Sequence, residues 1–228
     1  MQKRIFLALA LIAFGINALS SDFDRERYFQ QSCDQNDAQA CLALGAMYHV
    51  GDGVGQNFTK ARTLYSKACD LGLAEGCTHL GFMYENGHAG LNLQKAAQLY
   101  TKACDMNDTE ACASLASLYE NGSGVEEDMQ KAVDYYDKAC NGKDARSCVH
   151  LGTLYEQDGN DPYAAFYYQK ACDANDASTC SNLGIMYLNG KGVEVNEKTA
   201  YQLFQKACSL GDEAGCKNYE AMKNANWY

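Results

Sequence analysis

Twelve cysteines are the residues of this sequence whose type and spacing most directly imply chemistry. They form six pairs, and the two members of each pair are eight residues apart. Thiols can form disulfides, bind zinc or exchange electrons, but zinc pairs are usually roughly two to four residues apart, and the CxxC redox motif is absent. The sequence therefore predicts six local disulfides, which are Cys33–Cys41, Cys69–Cys77, Cys104–Cys112, Cys140–Cys148, Cys172–Cys180 and Cys208–Cys216.

The chain must reverse direction inside each eight-residue interval. On one continuous helix the two cysteines would be about 12 Å apart, whereas a disulfide joins Cα atoms less than about 7 Å apart. The intervening residues suit a reversal, because an Asn or Gly that can end a helix precedes an Asp that can cap the next one. These dipeptides are Asn36-Asp37, Asn107-Asp108, Asn175-Asp176 and Gly211-Asp212. Each disulfide is predicted to join the end of one helix to the start of the next.

The segments that carry the cysteines repeat along the chain. The second cysteines of successive pairs are 36, 35, 36, 32 and 36 residues apart, a period typical of helical repeat proteins. Each unit contains Cys-x-x-Leu-(Gly/Ala)-x-x-Tyr, whose apolar positions fall on one face of a helix, helix A. A second stripe, Ala-x-x-x-(Tyr/Phe)-x-x-Ala-Cys, predicts a helix B, and glycine-containing turns separate the stripes. The sequence thus predicts an all-α protein of helix–turn–helix repeats.

Glycine recurs inside helix A at Gly45, Gly81, Gly152 and Gly184. Because glycine weakens a helix by about 1 kcal/mol relative to alanine, its recurrence predicts a close approach of helix B at this position. The fourth unit is the shortest, and its Pro162 suits the first turn of helix B.

These motifs resemble those of Sel1-like repeat proteins, specifically the Helicobacter cysteine-rich protein family. The resemblance rests on the period, the Leu-Gly-x-x-Tyr helix A, the Lys-Ala-x-x-x-Tyr-x-Lys-Ala-Cys helix B and the cysteine spacing, and it covers residues 29–219. It implies a right-handed α-solenoid of tetratricopeptide-like helix pairs with one disulfide per repeat, secretion, and contact with host immunity. It also implies penicillin binding with slow β-lactamase activity.

The pattern also predicts how the chain is divided. Residues 1–20 read as a secretory signal peptide, because Lys3 and Arg4 precede an apolar run that ends in small residues. No membrane span is predicted in the mature chain, which is expected in the periplasm or outside the cell. Residues 21–36 and 212–228 are predicted to be capping helices. Between them, residues 37–211 form five predicted repeats, at 37–72, 73–107, 108–143, 144–175 and 176–211.

No catalytic residue, metal or cofactor can be assigned from the sequence. The SxxK, SDN and KTG motifs of serine β-lactamases are all absent. The four histidines, His49, His79, His88 and His150, are spread over three repeats, and no converging metal-binding set is expected from them.

The helix A faces are the predicted ligand-binding surface. By similarity to tetratricopeptide arrays, the positions one and five residues after each helix A cysteine are expected to be exposed in a groove. These positions are Leu42, Ala46, Thr78, Phe82, Ala113, Ser117, Val149, Thr153, Ser181 and Ile185. Their small, neutral and partly apolar side chains suit an extended peptide or a small amphipathic molecule.

The formal net charge of −10 disfavours nucleic acid and anionic membranes as partners. The predicted function is a binding scaffold for a protein, peptide or cell-wall-like ligand, with host proteins among the candidate partners. The alternative, implied by the resemblance alone, is a penicillin-binding protein that slowly hydrolyses β-lactams. Its ligand would be a β-lactam or a peptidoglycan-like small molecule.

Overall fold

The computed structural model describes residues 22–225, and these form twelve α-helices with no strand among them. In chain order the helices are α1 (Asp22–Asp34), α2 (Ala38–Val50), α3 (Phe58–Asp70), α4 (Ala74–Glu85), α5 (Leu93–Asp105), α6 (Thr109–Glu120), α7 (Met129–Asn141), α8 (Ala145–Gln157), α9 (Asp161–Asp173), α10 (Ala177–Asn189), α11 (Glu197–Ser209) and α12 (Glu213–Asn224). The even-numbered helices carry the helix A motif and the odd-numbered helices carry helix B. The prediction of an all-α array of helix pairs is confirmed.

The described residues form two compact units. Unit 1 comprises residues 22–111 and 121–127, and unit 2 comprises residues 112–120 and 128–225. The predicted signal peptide lies outside the described residues. Within these residues, no helix is long and apolar enough to cross a bilayer.

The turns between helix B and the next helix A follow from their sequence. Asn36, Asn107 and Asn175 each have a φ of 67°, a left-handed conformation that asparagine tolerates better than most residues. The following Asp37 caps α2 by accepting hydrogen bonds from the amides of Gln39 and Ala40. Lys143 has the same left-handed conformation, with a φ of 71°, although its side chain offers no such advantage.

The glycine of helix A receives an aromatic ring of helix B from the same pair. A Cβ atom added to Gly45 would lie 2.8 Å from the ring of Tyr65, and one added to Gly152 would lie 2.5 Å from the ring of Tyr168. Both distances are shorter than van der Waals contact, so any larger residue would push the helices apart. The close approach predicted from the recurring glycine is confirmed at these positions.

Disulfides join the end of each helix B to the start of the next helix A. Five bonds, between Cα atoms 4.3–4.8 Å apart, are Cys33–Cys41, Cys69–Cys77, Cys140–Cys148, Cys172–Cys180 and Cys208–Cys216. Cys104 and Cys112 are also disulfide-bonded, and the described residues include no free cysteine. The structure therefore has roughly one disulfide per repeat, as predicted.

Lysines on helix B tie successive pairs together in unit 1. The Nζ atom of Lys67 donates a hydrogen bond to the carbonyl oxygen of Cys33, at 2.7 Å, and Lys102 does the same to Cys69, at 3.2 Å. The acceptors are among the last carbonyls of the preceding helix B, which have no partner within their own helix. These lysines therefore stabilise the C-terminus of a neighbouring helix and complement its dipole.

Candidate ligand-binding surface and histidine cluster

The residues predicted to line the groove differ in exposure. Phe82 and Ile185 are exposed, at 41% and 44%, whereas Thr78 and Ser181 are buried, at 4% and 3%. The remaining six are half-buried, and they are Leu42, Ala46, Ala113, Ser117, Val149 and Thr153.

The expectation that Thr78 and Ser181 are exposed is wrong. Thr78 and Ser181 directly follow a helix A cysteine, and at both positions the side chain is buried, whereas Leu42, Ala113 and Val149 at the same position are half-buried. The Thr78 hydroxyl donates a hydrogen bond to the carbonyl oxygen of Ala74, at 3.2 Å, so its polar group is satisfied within its own helix. The two exposed residues of the predicted surface, Phe82 and Ile185, both lie five residues after a helix A cysteine.

Six aromatic and imidazole rings meet in unit 1 beside this surface. We name this group the histidine cluster, and its members are His49, Phe58, Tyr65, His79, Phe82 and His88. They come from α2, α3, α4 and the turn that follows α4. That three of the four histidines would lie in one cluster was not predicted from the sequence.

Two imidazoles are in direct contact at the solvent side of the cluster. The Nε2 atom of His49 lies 3.2 Å from Nδ1 of His88, and Nδ1 of His49 lies 3.4 Å from the Tyr65 hydroxyl. Phe58 stacks on the His88 ring, with centroids 4.4 Å apart and an angle of 6° between the planes. Phe82 meets His49 at a centroid distance of 6.1 Å.

The inner side of the cluster is more deeply buried. His79 stacks on Tyr65 with a centroid distance of 5.1 Å, and Tyr65 is only 1% exposed. Burial lowers the pKa of His49, with a further contribution from His88 and His79, and burial also lowers the pKa of His79. Burial raises the pKa of Tyr65, so the phenol stays protonated. His49, His79 and Tyr65 are therefore uncharged at neutral pH.

Stacking of repeats explains why the sequence alone did not reveal this cluster. His49 directly follows the last motif tyrosine of one helix A, and His79 lies two residues after the cysteine of the next helix A. These two registers become neighbours only when consecutive helix pairs are packed. A search for imidazoles at stacked registers would have brought His49 and His79 together beside Tyr65, but not His88, which lies in a turn.

Tyrosine–carboxylate hydrogen bonds occupy the equivalent position in other helix pairs. Their donor and acceptor atoms are 2.6–2.7 Å apart, and the pairs are Tyr100–Glu85, Tyr136–Glu120 and Tyr168–Glu156. Burial, together with the hydrogen bond to Glu120, raises the pKa of Tyr136. Glu120 also lies 3.0 Å from Nε2 of His150, which contacts the Tyr136 ring.

A groove of about 640 Å³ lies on the helix B side of unit 1. Four of its lining residues are basic: Arg62, Lys67, Lys95 and Lys102. Lys67 and Lys102 already bind backbone carbonyls, and Lys95 lies over the Tyr84 ring at 5.1 Å. Most of the positive charge in this groove thus has a structural partner.

No three or more His, Cys, Asp or Glu side chains in residues 22–225 converge as a metal-binding group. The described residues thus offer at most pairs of such ligands.

The repeat pattern and the known proteins agree on the family. The Sel1 repeat family model matches residues 38–73, 74–108, 109–144, 145–176 and 177–212. The chain belongs to the Sel1-repeat family. This assignment fits the helix pairs and the disulfides described above, and it confirms the predicted fold class.

Several solved Sel1-repeat structures are similar to this chain. The protective antigen c5321 of uropathogenic Escherichia coli is 26% identical with a TM-score of 0.71, covering 95% of this chain and 47% of its own. This chain thus spans about half of c5321. A Sel1 repeat protein from Oxalobacter formigenes is 25% identical with a TM-score of 0.70, covering 86% of this chain and 82% of its own.

The resemblance to the Helicobacter cysteine-rich proteins is confirmed in sequence. Cysteine-rich protein B of Helicobacter pylori is 33% identical, covering 73% of this chain and 98% of its own, with a TM-score of 0.29. A search of curated proteins found no match to this chain.

Proposed function

We propose that this Sel1-repeat protein is a secreted or periplasmic scaffold that binds an extended peptide segment of a partner protein along its helix A faces. The observation that carries the proposal is Phe82, an aromatic side chain 41% exposed on this face. Aromatic residues, including phenylalanine, are enriched at protein–protein interfaces.

The surroundings of Phe82 support a peptide ligand. Rings of His49 and His88 lie 6.1 Å and 6.3 Å from the Phe82 ring, and their nitrogens can exchange hydrogen bonds with a peptide backbone. An apolar anchor with polar groups at its border is the usual composition of a binding hot spot. In unit 2, Ile185 occupies the same register and is also exposed.

Rigidity favours binding by such a surface. Each described disulfide closes a loop between two helices, and four of the helix A segments are packed against helix B through a buried ring. A preorganised surface loses less conformational entropy when it binds a ligand. Repeat arrays of this type characteristically present extended binding surfaces.

An oxidising compartment is supported by the cysteines, since all those described are in disulfides and such bonds persist mainly outside the cytosol. The same proposal includes a signal peptide at residues 1–20 and a division into five repeats between capping helices. It also includes host proteins as partners. No arrangement of the described residues favours the alternative of slow β-lactam hydrolysis, and we do not propose it.

Selection of peptides from a displayed library tests the proposal. The oxidised protein should enrich a shared peptide motif, and Phe82→Ala should weaken binding of the selected peptides by about tenfold or more. Val195→Ala is the control, because Val195 is 62% exposed and belongs to a turn rather than to a helix A. Equal binding by both variants, or no enrichment, would refute the assignment of this surface.

A further inference from the structure

The contact between His49 and His88 brings two imidazole nitrogens from distant parts of unit 1 together. His49 lies near the end of α2, and His88 lies in the turn after α4, 39 residues later. Nε2 of His49 and Nδ1 of His88 are 3.2 Å apart. The known ion-binding groups of proteins include pairs of neutral imidazoles of this kind.

The distance between these nitrogens fits two ligands of one ion. Imidazole nitrogens bind zinc at about 2.0–2.1 Å, so two of them are about 2.9 Å apart at a right angle and about 3.3 Å apart at the tetrahedral angle. The observed 3.2 Å lies between these values.

Neighbouring rings hold both imidazoles in place. Phe58 stacks nearly parallel on His88, and the Tyr65 hydroxyl lies 3.4 Å from Nδ1 of His49, the nitrogen that faces away from His88. A hydrogen bond to the second nitrogen fixes the tautomer of a metal-binding histidine and orients its ring.

We propose that His49 and His88 together bind one divalent ion of the borderline class, with Cu²⁺ bound most tightly and Zn²⁺ and Ni²⁺ less tightly. Imidazole suits these ions, and the order follows the general stability of their complexes. Hard ions such as Ca²⁺ prefer oxygen ligands and are excluded. Because His88 is exposed, water molecules can fill the remaining coordination positions.

Loading the site requires only a proton shift within the pair. One of the two facing nitrogens carries the hydrogen of the contact in the absence of an ion. When the ion binds, that proton leaves, and the other nitrogen of the same ring takes up a proton. If the ring is His49, this nitrogen is Nδ1, beside Tyr65; if it is His88, it is Nε2, in solvent. Both rings stay neutral, and no oxidant or reductant takes part.

Titration of the oxidised, tag-free protein with CuCl₂ tests the proposal, with calorimetry for affinity and electron paramagnetic resonance for the donor atoms. We expect one ion per chain with two nitrogen donors. His49→Asn and His88→Asn should each weaken binding by about tenfold or more. His150→Asn, in unit 2, is the matched control and should bind like the unaltered protein, and Ca²⁺ should not bind.

Phe58→Leu provides a second variant that keeps both ligands. It removes the ring stacked on His88 and should weaken binding less than loss of either histidine. Circular dichroism of each variant separates a lost ligand from a lost fold. The proposal is overturned if the unaltered protein binds no Cu²⁺, or if folded His49→Asn and His88→Asn proteins bind it as tightly as His150→Asn. Cu²⁺ binding is measured without peptide, so neither result tests the peptide proposal, which the Phe82→Ala variant tests.

Discussion

Tyr65 in unit 1 and Tyr136 in unit 2 occupy the same position of their helix pairs but face different polar groups. Tyr65 faces His49, whereas Tyr136 donates a hydrogen bond to Glu120. In both units a histidine of the next helix A contacts the tyrosine ring. The residue at the end of helix A, His49 or Glu120, thus decides whether the tyrosine lies in an uncharged cluster or in a carboxylate network. The helix pair itself is the same in both units.

The last helix pair extends this comparison. There the ring is Phe204, which has no hydroxyl, and Leu188 replaces the glutamate in the cluster around it. The helix B ring and the helix A residue that faces it therefore change together along the chain. The ring carries a hydroxyl only where the facing residue offers a polar group for a hydrogen bond. A buried hydroxyl without a partner would lose its hydrogen bonds to water.

The largest expected effect comes from breaking this match in unit 2. Phe204 is fully buried, so Phe204→Tyr places a hydroxyl beside Leu188 and should lower the free energy of unfolding by about 2 kcal/mol. Urea denaturation of the oxidised protein measures this loss. Adding Leu188→Glu supplies an acceptor and should recover at least half of it.

A double-mutant cycle decides whether the two residues interact. The coupling between Phe204→Tyr and Leu188→Glu should be about 1 kcal/mol or more. Additive effects would show that the ring and the helix A residue vary independently.

Removing the hydroxyl from each tyrosine compares the two units directly. Tyr136→Phe deletes a hydrogen bond of 2.7 Å to a carboxylate, and we expect it to cost about 1.5 kcal/mol. Tyr65→Phe deletes only the 3.4 Å contact with His49 and should cost about 0.5 kcal/mol. Urea denaturation measures both, and a larger loss for Tyr65→Phe would reverse the comparison.

Acid should weaken the histidine cluster. Burial lowers the pKa of His79, which outweighs the opposing effect of Glu110, Asp108 and Glu75, and His49 is shifted in the same direction. The unfolded chain then binds more protons than the folded chain, so stability falls as the pH drops below the unfolded value of about 6.5.

Amide hydrogen exchange across α2 to α4, compared at neutral and mildly acidic pH, measures this effect. Replacing both histidines, as in His49→Asn/His79→Asn, should reduce the acid-induced loss of protection. His150→Asn controls for removal of a histidine elsewhere. An undiminished loss in the double variant would assign the acid sensitivity to other groups.

The smallest expected effect concerns the turn at Lys143. Asn36, Asn107 and Asn175 hold the left-handed conformation at equivalent turns, whereas Lys143 gains nothing from it. Lys143→Asn should therefore raise the free energy of unfolding by about 0.5 kcal/mol, and Lys143→Ala should not. Thermal unfolding of the two variants compares them, and equal stability would argue against strain at this residue.

The fold could be predicted because its determinants are local in sequence. The cysteine interval and the Asn-Asp dipeptides act within a few residues, the helix A glycine meets a ring of helix B in the same pair, and the structure has these turns and contacts. The histidine cluster was missed because His49 and His88 meet only across packed helix pairs. The burial of Thr78 and Ser181 was also missed, because the groove positions were assigned by similarity to tetratricopeptide arrays rather than from the packing of these helices.

The eight-residue separation of bonded cysteines also bears on how the chain becomes oxidised. As the polypeptide emerges from a ribosome or a translocation pore, Cys33 meets Cys41 long before Cys69 appears. Joining Cys41 to Cys69 instead would close a much longer loop, at an entropic cost about 1 kcal/mol greater. Because the chain emerges from its N-terminus, the native disulfides can form one at a time. A chain with twelve thiols then needs little disulfide exchange to reach its native pairing.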